Sequence, residues 1–587
     1  MRRLLLLLVL GGAIHFLTSP PTLEAQSRDW RFGVVEAYES SAEASNLGAA
    51  WTRVKIHWAV TQAGGPGSWT PPVSDGQING EIGNGRLVVG LLIGIPDWAR
   101  DSNRLPRGLY LAHDDPGNTW ANFVREAVGR YNGRINHWII WNEPDVWDTA
   151  APGHTWDGSV EDFFQLHRTA YIVAKETNPN AKIHLSAMTY HWDSRYGREQ
   201  YLNRLLRVIA ADPNAAGNDY YFDYLTAHFY FQPDQIFRQI QEFHGIRAAH
   251  GIPWKPLWLV ETNAPPLDDP GWLVPNWTLS VTQNEQAAFM PQMLAVALAA
   301  GAERIAVYKL KDTEGDRAAN PEPFGLIRMD GSRRPAFTTY RIATQYLAGM
   351  QGARRERWNE VGQVRINQGS ITTTVLFARL PAPQTAQVEA TAATAVLVDM
   401  WGSRQTITAS AGFFTIELPG ALCTQSIGDY CMIGGTTYYL VQAAGDGPLP
   451  TAPAGPGVPP ANTPDPAAPP SSAMATATVT ATATATHTPR PTLPPTYTPP
   501  PTATAVPLPS ATTTPPPTPP ITPTGEPVAL LAPTEMVPTP ERAGSDSVPA
   551  AGGENSGGWP LAGLALLLLA AAVAGWMIFR QRFTPTS

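Results

Sequence analysis

Between residues 31 and 350, short apolar runs alternate with segments whose apolar positions recur every three to four residues. The runs cover 32–35, 51–56, 87–93, 137–141, 182–187, 224–229, 257–261 and 304–309, and each has the length and composition of a strand. Between them, Trp120, Phe123, Val124, Ala127, Val128 and Tyr131 fall on one helical face, as do Phe163, His167, Ala170, Tyr171 and Ala174. Thr282 followed by Glu285 has the spacing of a capping box and predicts the start of the seventh helix. Eight such units predict α/β architecture with a parallel sheet under helices. No glycine-rich phosphate loop follows the first run, so a closed (β/α)8 TIM barrel over residues 28–350 is preferred to an open doubly wound sheet.

After residue 350 the pattern changes to β-branched alternation, seen at 371–378, 395–400, 404–409, 413–418 and 436–441. No long helical stretch interrupts it, which predicts a β-sandwich domain over 351–446. From 447 to 558 proline, threonine, alanine and serine dominate; such a segment cannot bury enough apolar surface to fold and reads as a disordered Pro/Thr-rich stalk.

The two ends of the chain bear on where it works. Arg2 and Arg3 precede an apolar stretch, then Pro20, Pro21 and the small residue Ala25, which is the order of a signal peptide over 1–25. The apolar run 559–579 would be about 31 Å long as a helix, matching a bilayer core of about 30 Å. Arg580 and Arg582 follow it and place a tail, 580–587, on the cytoplasmic side. The expectation is an exported protein, anchored at the cell surface through one C-terminal transmembrane helix, with its folded head outside. The net charge of -8 and the lack of a basic block in the folded part argue against nucleic acid as a partner. Cys423 and Cys431, close together in an oxidising exterior, would most simply form one local disulfide, a reduced pair being the alternative.

Two glutamates stand where an apolar strand gives way to loop. The fourth run ends in Trp141, Asn142, Glu143, Pro144, and the seventh in Val260, Glu261, Thr262, Asn263. A strand-end glutamate is costly to hold unless it is paired or used. In a TIM barrel both positions open on the same carboxyl-terminal mouth. Cleaving a glycosidic bond with retention requires such a pair: one carboxyl to protonate the leaving oxygen, the other to attack the anomeric carbon, about 5–5.5 Å apart.

On these residues the chain resembles the retaining glycoside hydrolases of clan A, the group that includes families 5 and 39. Trp141, Asn142, Glu143 and Pro144 match the acid/base strand, and Glu261 after Leu257, Trp258, Leu259 and Val260 matches the nucleophile strand. The resemblance covers roughly residues 30 to 350, and the following sandwich is similar to the accessory domain of these families. It implies that Glu143 is the general acid/base and Glu261 the nucleophile of an O-glycosyl hydrolase acting on oligo- or polysaccharides. It further implies that Asn142 bonds the sugar 2-hydroxyl, that Arg53 supports the nucleophile, and that His228 with Tyr230 holds Glu261 and the sugar. This chemistry requires no metal or other cofactor. The segment Phe324, Gly325, Leu326, Ile327, Arg328, then Arg334, Pro335, Ala336, Phe337, is similar to the stretch after the eighth strand in these hydrolases. One departure concerns the sugar platform: many relatives place a tryptophan at the end of strand eight, where this chain has Tyr308, Lys309, Leu310 and Lys311.

Trp58, Trp98, Trp147 and Trp192 fall in expected loops after strands, where aromatic faces can stack on sugar rings. His113, Asp114 and Asp115 read as a solvated loop, and Asn276, Trp277, Thr278 as an N-glycosylation acceptor. A catalytically inactive carbohydrate-binding or adhesion protein would use the same barrel, stalk and anchor, and transglycosylation would use the same glutamates.

Overall fold

The computed structural model describes residues 28–444, apart from 152, 275–278, 280 and 321. The expected signal peptide, stalk, membrane helix and tail lie outside the described residues, as does the acceptor triplet 276–278. Among the described residues no helix is long and apolar enough to cross a membrane.

Eight parallel strands build the first layer: β1 (Phe32–Val34), β2 (Trp51–His57), β3 (Leu87–Ile93), β4 (His137–Ile140), β5 (Lys182–His184), β6 (Leu225–His228), β7 (Leu257–Glu261) and β8 (Ala302–Val307). They form one sheet in the order β5-β4-β3-β2-β1-β8-β7-β6. Parallel bridges His184 to Tyr224 and Met188 to Ala227 join its two edges, so the sheet closes into a barrel. Side chains two apart on a strand share a face. On β2 this stacks Arg53 above Trp51, whose ring meets Trp258 of β7 at 5.3 Å. Two strand glycines make room for such rings: a Cβ on Gly33 would come within 2.4 Å of Trp51, and one on Gly90 within 2.4 Å of Trp138.

The helices lie where the periodicity puts them. Thr119–Arg130 buries Trp120, Phe123, Val124, Ala127 and Val128, and Val160–Thr177 buries Phe163, His167, Ala170, Tyr171 and Ala174. Thr282 and Glu285 form the expected capping box at the head of Gln283–Ala300. That helix is apolar on nearly every side, because it lies between the barrel and a second domain.

The second domain is a β-sandwich. Strands β9 (Gly352–Trp358), β10 (Val361–Asn367), β11 (Ile371–Ala378), β12 (Gln384–Glu389), β13 (Thr394–Asp399), β14 (Arg404–Thr408) and β15 (Phe413–Leu418) are followed by a hairpin, β16 (Ser426–Ile427) and β17 (Tyr430–Cys431), and by β18 (Tyr438–Ala443). Six of them form an antiparallel sheet, β14-β13-β18-β11-β10-β9, and β12 pairs with β15 across from it. Leu376, Leu397, Leu440, Phe414 and Ile416 fill the space between the two sheets. The outer face of the large sheet, with Val364, Phe377 and Val441, joins the barrel's hydrophobic core. Gln292 fixes this contact: its Nε2 donates to Gly435 O at 3.0 Å, and its Oε1 accepts from Gly434 N at 3.0 Å. A disulfide joins Cys423 to Cys431 beside the small hairpin.

Several strand ends differ from the sequence expectation, and among the barrel strands the shifts are largest at β5 and β8. β4 stops at Ile140 because Trp141 turns to φ 72°. β5 stops at His184 rather than continuing to 187, and β8 begins two residues earlier and ends before Tyr308. β9, β10 and β12 lie outside the expected runs; β9 carries Arg354, Arg355 and Arg357 and is half-exposed, so it shows no alternation of apolar and polar positions.

Candidate active site

Because every barrel strand runs the same way, the residues at their carboxyl ends meet at one mouth. Arg53 comes from β2, Glu143 from just after β4, His228 from the end of β6, Tyr230 two residues later, and Glu261 is the last residue of β7. The structure brings all five together.

Glu261 is buried and held from three sides. The guanidinium of Arg53 donates from Nη2 to its Oε1, and the Tyr230 hydroxyl donates to its Oε2 at 2.5 Å. His228 Nδ1 lies 3.5 Å from the same Oε2. Burial alone would push this carboxyl up; the Arg53 charge, followed by His228 and the Tyr230 hydrogen bond, outweighs burial and holds it below the ordinary glutamate value. In return, burial and then Glu261 push the Tyr230 phenol far above its ordinary range, so it stays a donor.

Glu143 is half-buried and differently placed. Its Oε1 lies 2.6 Å from His228 Nδ1. Arg53 Nη1, which can only donate, faces His228 Nε2 at 3.4 Å. The backbone that aims Glu143 is strained: Trp141 has φ 72° and Glu143 φ 46°, both left-handed and neither glycine. Four contacts hold it in that shape. Trp141 N donates to Leu92 O at 2.8 Å and Glu143 N to Ala187 O at 3.0 Å. Thr155 Oγ1 donates to Asn142 O at 2.5 Å and accepts from Trp141 Nε1 at 3.2 Å. Asn142 itself is half-buried beside Glu143.

One oxygen of each glutamate and one ring nitrogen of His228 lie within 4.8 Å of one another. That spacing also suits three ligands of a divalent ion. The surroundings do not, since Glu261 Oε1 already accepts from a buried guanidinium, whose charge repels a cation at the same place.

The aromatic expectations divide. Trp58 is fully buried, stacked on Phe123 at 5.0 Å, with its Nε1 donating to Gln62 Oε1 at 2.8 Å. It is a core residue with no face for a sugar, which corrects the sequence expectation: the chain after β2 turns at once into the short helix Trp58–Thr61 and carries the ring inward. Trp98 is half-buried, edge-on to Trp58 at 6.0 Å, and donates to Gln62 O at 2.6 Å. The open rings near the mouth are instead Trp147 and Tyr196, 4.9 Å apart, with Trp192 stacked on Tyr196.

Other residues surround the site, among them two just past the end of β8 that the sequence singles out. Tyr308 is half-buried beside Phe324, whose ring also meets Tyr230. Its phenol is pushed far up by burial, then by Glu36 and Glu261. Lys309 is buried and paired with Glu36 and with Asp316, the latter at 2.8 Å. Asp145, fully buried, accepts from Thr189 N and Oγ1, each at 2.8 Å. Burial, then the nearby Glu143, pushes its carboxyl up to about 7.

No known family's sequence profile matches the chain, and no curated protein matches it in sequence. Solved structures do. A family 39 glycoside hydrolase from the gut symbiont Bacteroides cellulosilyticus WH2 superposes with a TM-score of 0.52 at 15% identity, over 71% of this chain and 81% of that one. The chain shares the fold of this glycoside hydrolase. A family 39 β-xylosidase from Caulobacter crescentus, at 13% identity, covers 71% of this chain and 97% of its own, with a TM-score of 0.45. A family 30 endoxylanase from Clostridium papyrosolvens, also at 13%, covers 72% and 98%, again at 0.45.

Proposed function

We propose that the chain is a retaining O-glycosyl hydrolase acting on oligo- or polysaccharides. The observation that carries this reading is the pair of carboxyl groups: oxygens within 4.8 Å across one barrel mouth, only one of them clamped by a guanidinium. Retaining enzymes hold their two carboxyls about 5–5.5 Å apart, whereas inverting enzymes leave about 6.5–9.5 Å for a water.

In this reading Glu261, kept ionised by Arg53 and Tyr230, attacks the anomeric carbon while Glu143 gives its proton to the departing glycosidic oxygen. The bond to the leaving group breaks as the bond to Glu261 forms. Once glycosylated, Glu261 no longer carries charge, and Glu143, now ionised, takes a proton from an incoming water. The resulting hydroxide displaces Glu261 from the sugar, and both carboxyls return to their starting state. His228 holds Glu143 in line throughout, and Asn142 hydrogen-bonds the sugar 2-hydroxyl. The fold shared with a family 39 glycoside hydrolase supports the reading. The leader-like start and the apolar run 559–579 support an exported enzyme tethered at the cell surface by the C-terminal run.

The anomer first released from a hydrolysed aryl glycoside, followed by proton NMR before mutarotation, tests the proposal. Retention is expected. Inversion, or glycan binding with no turnover across a broad panel, would leave the barrel as a different enzyme or a binding protein.

A further inference from the structure

A second cavity opens at the same end of the barrel, between the segments that follow β2, β3 and β4. It holds about 230 Å³ and is lined by His57, Gly94, Arg100, Arg104, Trp141 and Asp157, among others. Trp141 of the lining lies two residues before Glu143 in the chain. Gly94, at φ 85°, lets the His57 imidazole form the floor, since a Cβ there would come within 2.4 Å of the ring.

The charges around the cavity do not balance. Asp157, the acidic residue in the lining, is already engaged: Arg104 Nε donates to it at 2.9 Å, and His154 Nε2 lies 3.2 Å away. Arg100 donates from Nη2 to Ile95 O at 2.9 Å, while its Nε is buried and has no hydrogen-bond partner. Among the described residues no carboxylate lies within ion-pair distance of Arg100. His57 Nδ1 is likewise buried without a partner. Burial, and then Lys55, lowers the His57 imidazole to about 4, so near neutral pH it offers a hydrogen bond rather than a second charge. A guanidinium without a carboxylate partner, beside a neutral imidazole, in a space that admits one sugar residue, is matched by an anion with several acceptor oxygens.

We propose that this cavity is a subsite for an anionic substituent, a carboxylate or a sulfate, on the glycan substrate, held by Arg100 with His57. The inference rests on the hydrolase reading for the word substrate, and it narrows that reading to acidic glycans. Arg104 contributes less, because Asp157 neutralises it and its side chain is largely exposed.

Calorimetric titration of the full chain with matched methyl glycosides tests this. The pairs are glucoside with glucuronide and galactoside with galacturonide, together with the 6-sulfate of each neutral sugar; comparing uronides with sulfates separates the two sources of the anion. At least one acidic member should bind roughly 10- to 100-fold more tightly than its neutral counterpart, as one charge-assisted hydrogen-bond pair allows. Added salt should weaken the preference. Arg100→Met should remove it and Arg100→Lys should keep part of it, with both variants melting near the wild-type temperature. Equal binding of acidic and neutral members, or full preference retained in a folded Arg100→Met variant, overturns the subsite. Turnover measured in parallel separates the two proposals: hydrolysis without acid preference removes the subsite and leaves Glu143 and Glu261 in place. Acid preference without hydrolysis of any glycoside removes the hydrolase reading and leaves the subsite.

Discussion

Arg53 Nη2 donates to Glu261 Oε1 across the mouth of the barrel, joining β2 to β7 and residues 208 positions apart in sequence. Both side chains are buried, so each is the other's principal compensation for lost water. Breaking such a pair by removing one partner costs about 3–5 kcal/mol, much of it for the charge left behind.

Arg53→Met is therefore expected to lower stability near neutral pH by about that amount. Glu261 is held below the ordinary glutamate value, so the stability from the pair is complete above that value and fades as pH falls through the depressed one. In the variant, burial without Arg53 raises the Glu261 carboxyl, and protonation relieves the unpaired charge as pH falls. The gap in melting temperature between wild type and variant should narrow from pH 7 to pH 3. A constant gap would mean that Arg53 stabilises the barrel by packing alone. The acid limb of kcat/KM should move to higher pH in the same variant.

Asp145 follows the opposite sign. Its carboxyl is pushed up to about 7 by burial and by Glu143, so the folded state binds this proton more tightly than the unfolded chain does. Stability should fall as pH rises from about 4 to about 7 on this account. Asp145→Asn keeps an acceptor for Thr189 and removes the charge, and should melt higher than wild type at pH 8 by the equivalent of up to about 4 kcal/mol, with the two converging near pH 4. Melting curves that stay parallel over this range would contradict the assignment.

Glu143→Ala should discriminate between leaving groups. Acid assistance contributes roughly 100- to 10,000-fold when the departing oxygen is a poor leaving group and little when it is a good one. A series of aryl glycosides of increasing phenol acidity should show the loss in kcat/KM shrinking toward the most acidic phenols. An equal loss along the series would remove Glu143 from the role of acid.

Tyr230→Phe removes one hydrogen bond to a charged carboxylate, a contact worth about 1.5–3 kcal/mol. A loss of roughly 10- to 100-fold in kcat/KM is expected, with the fold intact by circular dichroism. An unchanged kcat/KM would place the Tyr230–Glu261 contact outside the reaction.

Much of this arrangement is legible in the order of residues along the chain, and the reasons are local. The eight apolar runs and the faces of Thr119–Arg130 and Val160–Thr177 follow from side-chain period, which depends only on near neighbours. Glu143 and Glu261 stand out because a carboxylate at the end of an apolar strand needs a reason to be there. What the sequence hides is set by distant contacts. Glu36 and Lys309 meet because β1 pairs with β8 when the barrel closes, and no local pattern anticipates that pairing. Asp145 is buried by Thr189, which follows β5, and Trp58 turns into the core because Phe123 of a later helix receives it. β9 escapes notice because arginines interrupt it; Arg355 is paired with Asp234 of a barrel helix instead of facing a uniform core.

The most direct test of the account is the reaction of Glu261→Ala with an activated aryl glycoside in the presence and absence of azide. Without azide, turnover should be abolished. With azide, activity should return and yield a glycosyl azide of inverted configuration, because the small anion attacks from the face that Glu261 leaves open. Unchanged hydrolysis in the variant, or rescue that gives the retained azide, would contradict the claim that Glu261 is the nucleophile.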